Sequence, residues 1–367
     1  MLELILGVVF IIYILFIGQL IYGFNRVKRF TKNDTLPTTS FSIVVPFRNE
    51  AENLPKLLHT ISNLNYPKEL FEVLLVDDES KEEFRIQNLE FRIRIIKNIR
   101  KSNSPKKDAI ETAIAIAKND WIITTDADCL VHENWLNSFD QLIQEKKLKM
   151  IASGVCYVPK NGFQHAFQTL DFLSLQGATI GSFGINKPFM CNGANFAYAK
   201  TFFNELNGFQ GNESIASGDD VFLLQKAIIS APKSVGFLYA KESIVATKSV
   251  ESWSELFQQR VRWASKSTGY SAVYGKTLAL VVFSGNLAWL VAFIFWLIGL
   301  LDPNIFLLLI TSKFLVDFIL LFKTANFFES KLQYVLASSL LYPFFSVSVA
   351  VYSLFGNYSW KGRTFRK

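Results

Sequence analysis

Apolar positions are spread unevenly along this chain, and their period changes twice. Residues 2–24, LELILGVVFIIYILFIGQLIYGF, carry one charge, Glu3, and as a helix are long enough to cross a bilayer. Three more apolar runs lie at the far end: TLALVVFSGNLAWLVAFIFWLIGLL (277–301), NIFLLLITSKFLVDFILLF (304–322) and LQYVLASSLLYPFFSVSVAVYSLF (332–355). Between the two ends the short β-branched runs FSIVVPF (41–47), FEVLLVDD (71–78), IRIIKN (93–98) and WIITTDAD (121–128) alternate with helical stretches such as EAENLPKLLHTIS and PKKDAIETAIAIAK. That alternation predicts right-handed βαβ units, an α/β domain with a mostly parallel sheet covered on both faces. Ligands of open sheets bind outside the carboxyl ends of the strands. The first places to look are therefore PFRNE, DDES and DADC.

Past residue 149 the alternation loosens. KMIASGVCYV reads as one strand, and PFMCNGANFAYAK as a strand containing a turn. GFQHAFQTLDFLSLQGATIGSF is an apolar helix too polar to span, which reads as lying in the membrane interface; a core helix is the plain alternative. SGDDVFLLQKAIIS starts a helix, and SWSELFQQRVRWASKSTGYS is an amphipathic helix running into the membrane block. The expected organisation is an anchor at 1–25, a globular domain at 41–250, an interface helix at 251–272, membrane segments at 277–356 and a basic tail at 357–367.

Charge and composition narrow the class. The 367 residues are 50% hydrophobic with a net charge of +7, which suits anionic headgroups or an anionic ligand. The basic residues are scattered and form no nucleic-acid motif, so nucleic acid is not an expected partner. Cys129, Cys156 and Cys191 have no metal spacing and suggest a reduced compartment. Three histidines are too few for a histidine-rich metal centre. No small-residue cleavage site follows the first run, and the basic flank NRVKRFTK predicts an uncleaved anchor with that flank inside. The expectation is an integral protein of the inner or plasma membrane with a cytoplasmic globular domain. Three C-terminal crossings would leave the basic tail outside, so Pro343 is expected to split the last run into a re-entrant hairpin.

The candidate chemistry lies in the polar clusters. Asp126 and Asp128 share a face if their strand continues, and paired carboxylates suit Mg²⁺ or Mn²⁺ together with phosphate oxygens; a solvated turn would also explain them. Asp77 and Asp78 end the second strand, where a carboxylate can accept from a base or ribose or simply cap a helix. Lys106 and Lys107 open a helix, where positive charge is unfavourable unless an anion is near; surface lysines are the plain alternative. Asp219 and Asp220 stand in a first helical turn, where capping accounts for acids. Arg260, Arg262 and Trp263 fit either an interfacial anchor or a phosphate clamp with an aromatic platform.

Taken together and in order, IVVPFRNEAENL, VLLVDDES, KKDAI, TTDADC, CNGANFAY, SGDDVFL and QRVRW resemble the family 2 glycosyltransferases of the GT-A (Rossmann-like) fold, membrane-associated and inverting. The anchor and C-terminal spans are similar to the branch holding ceramide glucosyltransferases and processive polysaccharide synthases. The resemblance covers about residues 41–265. It implies that Pro46, Phe47, Arg48 and Glu50 line the nucleotide and that Asp77 or Asp78 holds the uracil. Lys106 takes the family's lysine position, although Pro105 replaces the usual glycine. Asp126 and Asp128 match the D-x-D metal and diphosphate site. Gly193, Ala194 and Asn195 match the acceptor-side loop, and Asp220 the catalytic base. Asp219 stands where glutamate is usual, and Gln259, Arg262 and Trp263 match Q-x-x-R-W.

The implied activity is transfer of a sugar from a nucleotide-diphosphate sugar, a UDP-sugar by resemblance, to a lipid or lipid-linked acceptor, with Mg²⁺ or Mn²⁺. The alternative is a subunit of a polysaccharide-chain synthase with export partners. A nucleotidyltransferase has no need of Q-x-x-R-W beside membrane spans. A non-catalytic scaffold is not expected to keep Asp126, Asp128 and Asp220 together.

Overall fold

The computed structural model describes all residues except 31–34, 83, 85–89, 213–214, 216–217, 267–271, 357, 361–362 and 366–367. Part of the basic flank and of the tail therefore lies outside the described residues. The chain divides into two compact units: a helical one (1–27, 159–189 and 249–367) and a sheet unit (28–158 and 190–248).

Numbered along the chain, the elements begin with α1 (Leu2–Arg26) of the helical unit, followed in the sheet unit by β1 (Phe41–Phe47), α2 (Leu54–Ser62), β2 (Phe71–Asp77), β3 (Arg92–Lys97), α3 (Pro105–Ile116), β4 (Trp121–Thr124), α4 (Trp135–Lys146), β5 (Met150–Ser153) and β6 (Val155–Tyr157). Next come α5 (Phe163–Gly184) in the helical unit, then β7 (Phe196–Ala199), α6 (Lys200–Glu205), α7 (Asp219–Ser230), β8 (Val235–Leu238) and β9 (Val245–Thr247) in the sheet unit. The helical unit ends with α8 (Trp253–Ser265), α9 (Val273–Leu297), α10 (Pro303–Phe328), α11 (Val335–Phe355) and a short antiparallel hairpin, β10 (Tyr358–Trp360) and β11 (Arg363–Phe365).

The central sheet has the order β3-β2-β1-β4-β7-β5-β8. β3, β2, β1 and β4 run parallel, β7 is antiparallel to both its neighbours, and β5 pairs β8 in parallel. β1 and β2 are buried almost throughout, as continuous apolar runs between two helical layers must be. Pro46 sits in central β1 beyond its last pairing with β4, Val44 opposite Thr124, so the missing N–H breaks no bond on that side. Glu72 is fully buried in β2, yet it accepts from the Ser42 hydroxyl (2.7 Å), the Lys118 N–H (2.7 Å) and Arg94 (3.1 Å). Edge strand β3 carries Arg92, Arg94 and Lys97, charges that discourage further pairing.

Two strands differ from expectation. WIITTDAD keeps strand geometry only to Thr124. The chain then turns, closed by the Cys129 N–H on the Asp126 carbonyl (3.1 Å), so alternation along a strand does not orient Asp126 and Asp128. KMIASGVCYV breaks at Gly154 into β5 of the main sheet and β6, which pairs β9 in a separate two-stranded sheet.

Asp108, buried in the first turn of α3, organises the loop before it. It accepts from the Ser102 hydroxyl (2.7 Å), the N–H groups of Ser102 and Lys101 (3.0 Å each) and Arg100 Nε (3.2 Å). Burial opposes the charge, but these donors prevail and hold the carboxyl below its usual value. A depressed folded-state pKa gives stability that is present above the unfolded value and lost as pH falls through the folded one. Asp108→Asn should therefore cost about 2 kcal/mol at pH 7. The difference in thermal midpoint from the parent should shrink below about pH 4; a difference that stays constant with pH would contradict this.

In the helical unit α1, α9, α10 and α11 are long and apolar enough to cross a membrane. α11 is one helix running through Pro343, so the expected re-entrant hairpin does not form. Proline removes one helical hydrogen bond, and the buried Pro343 stays within an otherwise unbroken run. α5 takes the core alternative: most of it is buried, with Leu20 and Gly23 of α1 and Thr324 of α10 against its glycines. Inside the spans, Lys313 donates to Asp317 (2.7 Å), which also accepts from the Tyr13 hydroxyl (2.7 Å). This ties α1 to α10 through a paired charge, as apolar surroundings require.

Candidate active site

The sheet unit brings Lys106, Asp126, Asp219, Asp220 and Gly193 together at the carboxyl end of β4. Pro105 at the first helical position fixes the start of α3, and from there the Lys106 ammonium reaches Asp126 Oδ1 (2.6 Å) and lies 3.9 Å from Asp219 Oδ2. Burial alone would lower the Lys106 pKa, but Asp126, then Asp219 and Asp220, raise it well above the usual lysine value. Lys106 is therefore a fixed cation among three carboxylates.

Gly218, with φ +85°, turns the chain into α7 and delivers both acids in its first turn. A left-handed φ there favours glycine. Asp220 Oδ2 accepts the Gly193 N–H (2.8 Å) and Oδ1 accepts the Val221 N–H (2.7 Å). Gly193 lies close enough to α7 that a Cβ on it would come within 3.1 Å of Asp219 Oδ2. Its carbonyl accepts from the Thr124 hydroxyl (2.6 Å), tying this turn to the end of β4. Asn192 caps the same turn by accepting the Ala194 N–H (3.0 Å).

Asn195 lies elsewhere in this arrangement. It is fully buried and satisfied by Trp135 Nε1 (3.0 Å) and by the carbonyls of Gly154 and Ser243 (2.7 Å each). That amide locks the strands together, leaving Gly193 and Ala194 to form the loop. Lys107 is likewise structural: it is buried, donates to the carbonyls of Asn212 (2.6 Å) and Ile215 (3.0 Å), and packs over Phe222. Asp128 accepts from the Thr247 hydroxyl (3.1 Å). The Cys129 thiol between these acids is pushed up by burial, Asp128 and Asp126, which leaves it protonated and unreactive.

A second group gathers at the ends of β1 and β2. Arg48 donates to the Asp78 carbonyl (2.6 Å) and lies 3.9 Å from its carboxylate. Asp78 is buried, with Arg100 at 3.6 Å and an accepted bond from Asn98 (2.8 Å). Asp77 is less buried and accepts the Ser80 N–H (3.0 Å). Of the two predicted uracil contacts, Asp78 serves to hold Arg48 and Arg100, and Asp77 is the more open. Phe47 is buried in the core, Pro46 is partly open, and Glu50 accepts from Asn53 (2.6 Å) at the start of α2.

Gln259, Arg262 and Trp263 lie on α8 in the helical unit. There Arg260 donates to Gln259 Oε1, and its guanidinium lies 4.2 Å from the Trp263 ring centre. The sequence reading passed over Thr124, Asn192, Thr247 and Tyr198. Tyr198 has a buried hydroxyl without a hydrogen-bond partner among the described residues, and burial and then Asp219 raise its pKa. Its alternation with Phe196 in β7 was the one available signal; Thr247 had none.

Residues 42–206 match the model described as glycosyl transferase family 2. The match supports glycosyl transferase family 2 and its GT-A fold. The chain is 26% identical over 208 residues to polypeptide N-acetylgalactosaminyltransferase 10 of Homo sapiens, covering 51% of this chain and 34% of that one. It is 25% identical over 198 residues to glycosyltransferase AglE of Haloferax volcanii, covering 53% and 62%. The chain thus spans less than two thirds of either relative. Among solved structures, a mannosyltransferase from Pyrobaculum calidifontis in complex with GDP-Man and Mn²⁺ shares the fold, with a TM-score of 0.62 at 14% identity over 96% of this chain and 99% of that one.

Proposed function

We propose that this protein is a membrane-bound inverting glycosyltransferase that moves a sugar from a nucleotide-diphosphate sugar to a lipid or lipid-linked acceptor. The observation that carries the reading is the pairing of Asp220, held by the Gly193 N–H, with the Lys106–Asp126 ion pair across the same sheet edge. One side offers a carboxylate able to take a proton, and the other offers the charges that receive a diphosphate.

The acceptor hydroxyl oxygen attacks the anomeric carbon as the bond to the diphosphate breaks. The electron pair leaves with the nucleoside diphosphate, and the hydroxyl proton goes to Asp220. A single displacement inverts the anomeric centre. Lys106 remains charged throughout and counters negative charge building on the leaving oxygen. Asp77, with the Arg48–Asp78 group beside it, receives the nucleoside at the ends of β1 and β2. UDP is favoured by resemblance, and the mannosyltransferase complex keeps GDP in the test.

Asp126 and Asp128 fit a divalent cation. Their carboxylate oxygens are the donors that suit Mg²⁺ or Mn²⁺, ions held by one or two carboxylates and completed by phosphate oxygens. When bound, such an ion would neutralise diphosphate charge. Four candidate spans among the described residues support a membrane-dissolved acceptor, and the basic segment after α1 favours a cytoplasmic catalytic face.

The test is nucleotide release by the full chain in lipid nanodiscs, with a panel of UDP- and GDP-sugars, native lipid extract and Mg²⁺ or Mn²⁺. Release from one donor should require lipid and fall at least tenfold with EDTA. Release that ignores lipid and yields a growing polymer would replace this reading with a chain-extending synthase; no release from any donor would overturn it.

A further inference from the structure

The polar residues of α5 are spaced to grip another part of the helical unit. His165, Gln168 and Asp171 recur every three residues and so lie along one side of the helix. His165 Nδ1 pairs with the Ser249 hydroxyl (3.0 Å). Gln168 gives its amide N–H to the Val250 carbonyl (3.0 Å) and accepts the Val250 N–H (3.2 Å), matching one backbone unit at both ends. Asp171 accepts from Arg260 Nε. The apolar neighbours continue the contact: Phe163 and Phe167 pack on Trp253, and Phe172 lies 6.0 Å from Trp263. α5 therefore grips both the approach to α8 and α8 itself.

The Asp171–Arg260 pair is nearly inaccessible, with each side chain 6% exposed. A buried ion pair gives no stability advantage over well-packed apolar residues of the same volume, and the aromatic contacts already supply adhesion. What the pair adds is direction. Arg260 also donates to Gln259 and stacks over Trp263, so the carboxylate that fixes the guanidinium fixes the side chains on either side of it.

We infer that Asp171 is a positioning residue that acts through Arg260 to set Gln259 and Trp263 on α8. That those two residues serve the transfer is what the Q-x-x-R-W resemblance implies and rests on the proposed function; the positioning itself does not.

The experiment uses the full chain in nanodiscs, labelled with 5-fluorotryptophan, with Trp263→Phe to assign the Trp263 fluorine resonance. Asp171→Asn should shift or split that resonance while Trp121 and Trp135 of the sheet unit stay in place, and should lower kcat/KM about 100-fold, the order expected of a misplaced catalytic group. Asp171→Glu should restore most of both. Arg260→Lys, which keeps the charge but loses the planar fork, should also move the resonance. If Asp171→Asn fails to fold, Asp171→Glu and Arg260→Lys decide alone. A Trp263 resonance unmoved in the folded variants overturns the inference, whatever the activity. An enzyme inactive with every donor, in which Trp263 nonetheless moves, overturns the proposed function and leaves the positioning intact.

Discussion

Asp220→Asn should lower turnover by about 10²–10⁴-fold, the range for loss of a general base, while the donor dissociation constant stays within about twofold. Asparagine is the informative change because its amide oxygen can still accept the Gly193 N–H that Asp220 Oδ2 accepts at 2.8 Å. The Val221 N–H that Oδ1 accepts at 2.7 Å loses its partner, but the Gly193 contact keeps the loop in place, and the main loss is the proton acceptor. Asp220 also contributes, behind Asp126 and Asp219, to the field that keeps Lys106 charged. Its removal leaves those two stronger neighbours, so Lys106 remains a cation and donor binding has no reason to change. Single-turnover rates and equilibrium donor binding on the same preparation separate the two effects. Wild-type turnover in the variant would remove Asp220 from the mechanism; a large loss of donor affinity would move it to the donor site.

Gly184→Ala should destabilise the helical unit by about 3 kcal/mol or more, the upper range for forcing a methyl into closed packing. A Cβ at Gly184 would lie 1.8 Å from the Gly23 carbonyl oxygen, and one at Gly181 would lie 2.4 Å from the Leu20 carbonyl oxygen. Both obstacles are backbone, so relief requires α1 and α5 to separate. Small residues at such crossings let helices meet where no hydrophobic drive brings them together. Gly18, on the same α1, has nothing within 4 Å of its would-be Cβ. Gly18→Ala should be neutral or stabilising by up to about 1 kcal/mol, from helix propensity. Thermal unfolding of both variants in one detergent gives the comparison, and equal midpoints would show that the α1–α5 approach does not limit stability.

Most of the sheet unit was legible because its signals are local. β1 and β2 are apolar runs bounded by polar clusters, and βαβ handedness leaves few ways to connect them. The polar strand ends then fall on one edge, which pointed to Asp77 and Asp126; Lys106 and Asp220 open helices, and only the family resemblance implied roles for them. The pattern could not separate roles within a pair. Asp77 and Asp78 are adjacent and identical in type, yet Asp78 is buried against Arg48 and Arg100, which come from elsewhere in the chain. Lys106 and Lys107 are also adjacent, and the helical turn of about 100° between them sends one to the acids and the other to the carbonyls of Asn212 and Ile215.

The helical unit was less legible, for a different reason. Hydropathy marks a span by its mean composition, so α1, α9, α10 and α11 were visible. α5 is harder to place because polar residues argue against a span without saying what they face, and His165, Gln168 and Asp171 are buried against partners some 80 to 90 residues away.

By itself, then, the sequence determined the apolar spans, the parallel half of the sheet and the edge where its polar strand ends gather, since periodicity and strand-end polarity act within a few residues. The tertiary structure decided that Asp78 is buried against Arg48 and Arg100 while Asp77 is the more open, that Asn195 is held in the core, that the D-x-D segment is a turn, and that α5 grips α8. Those outcomes depend on burial and on partners distant along the chain, and only packing brings such groups within hydrogen-bonding reach.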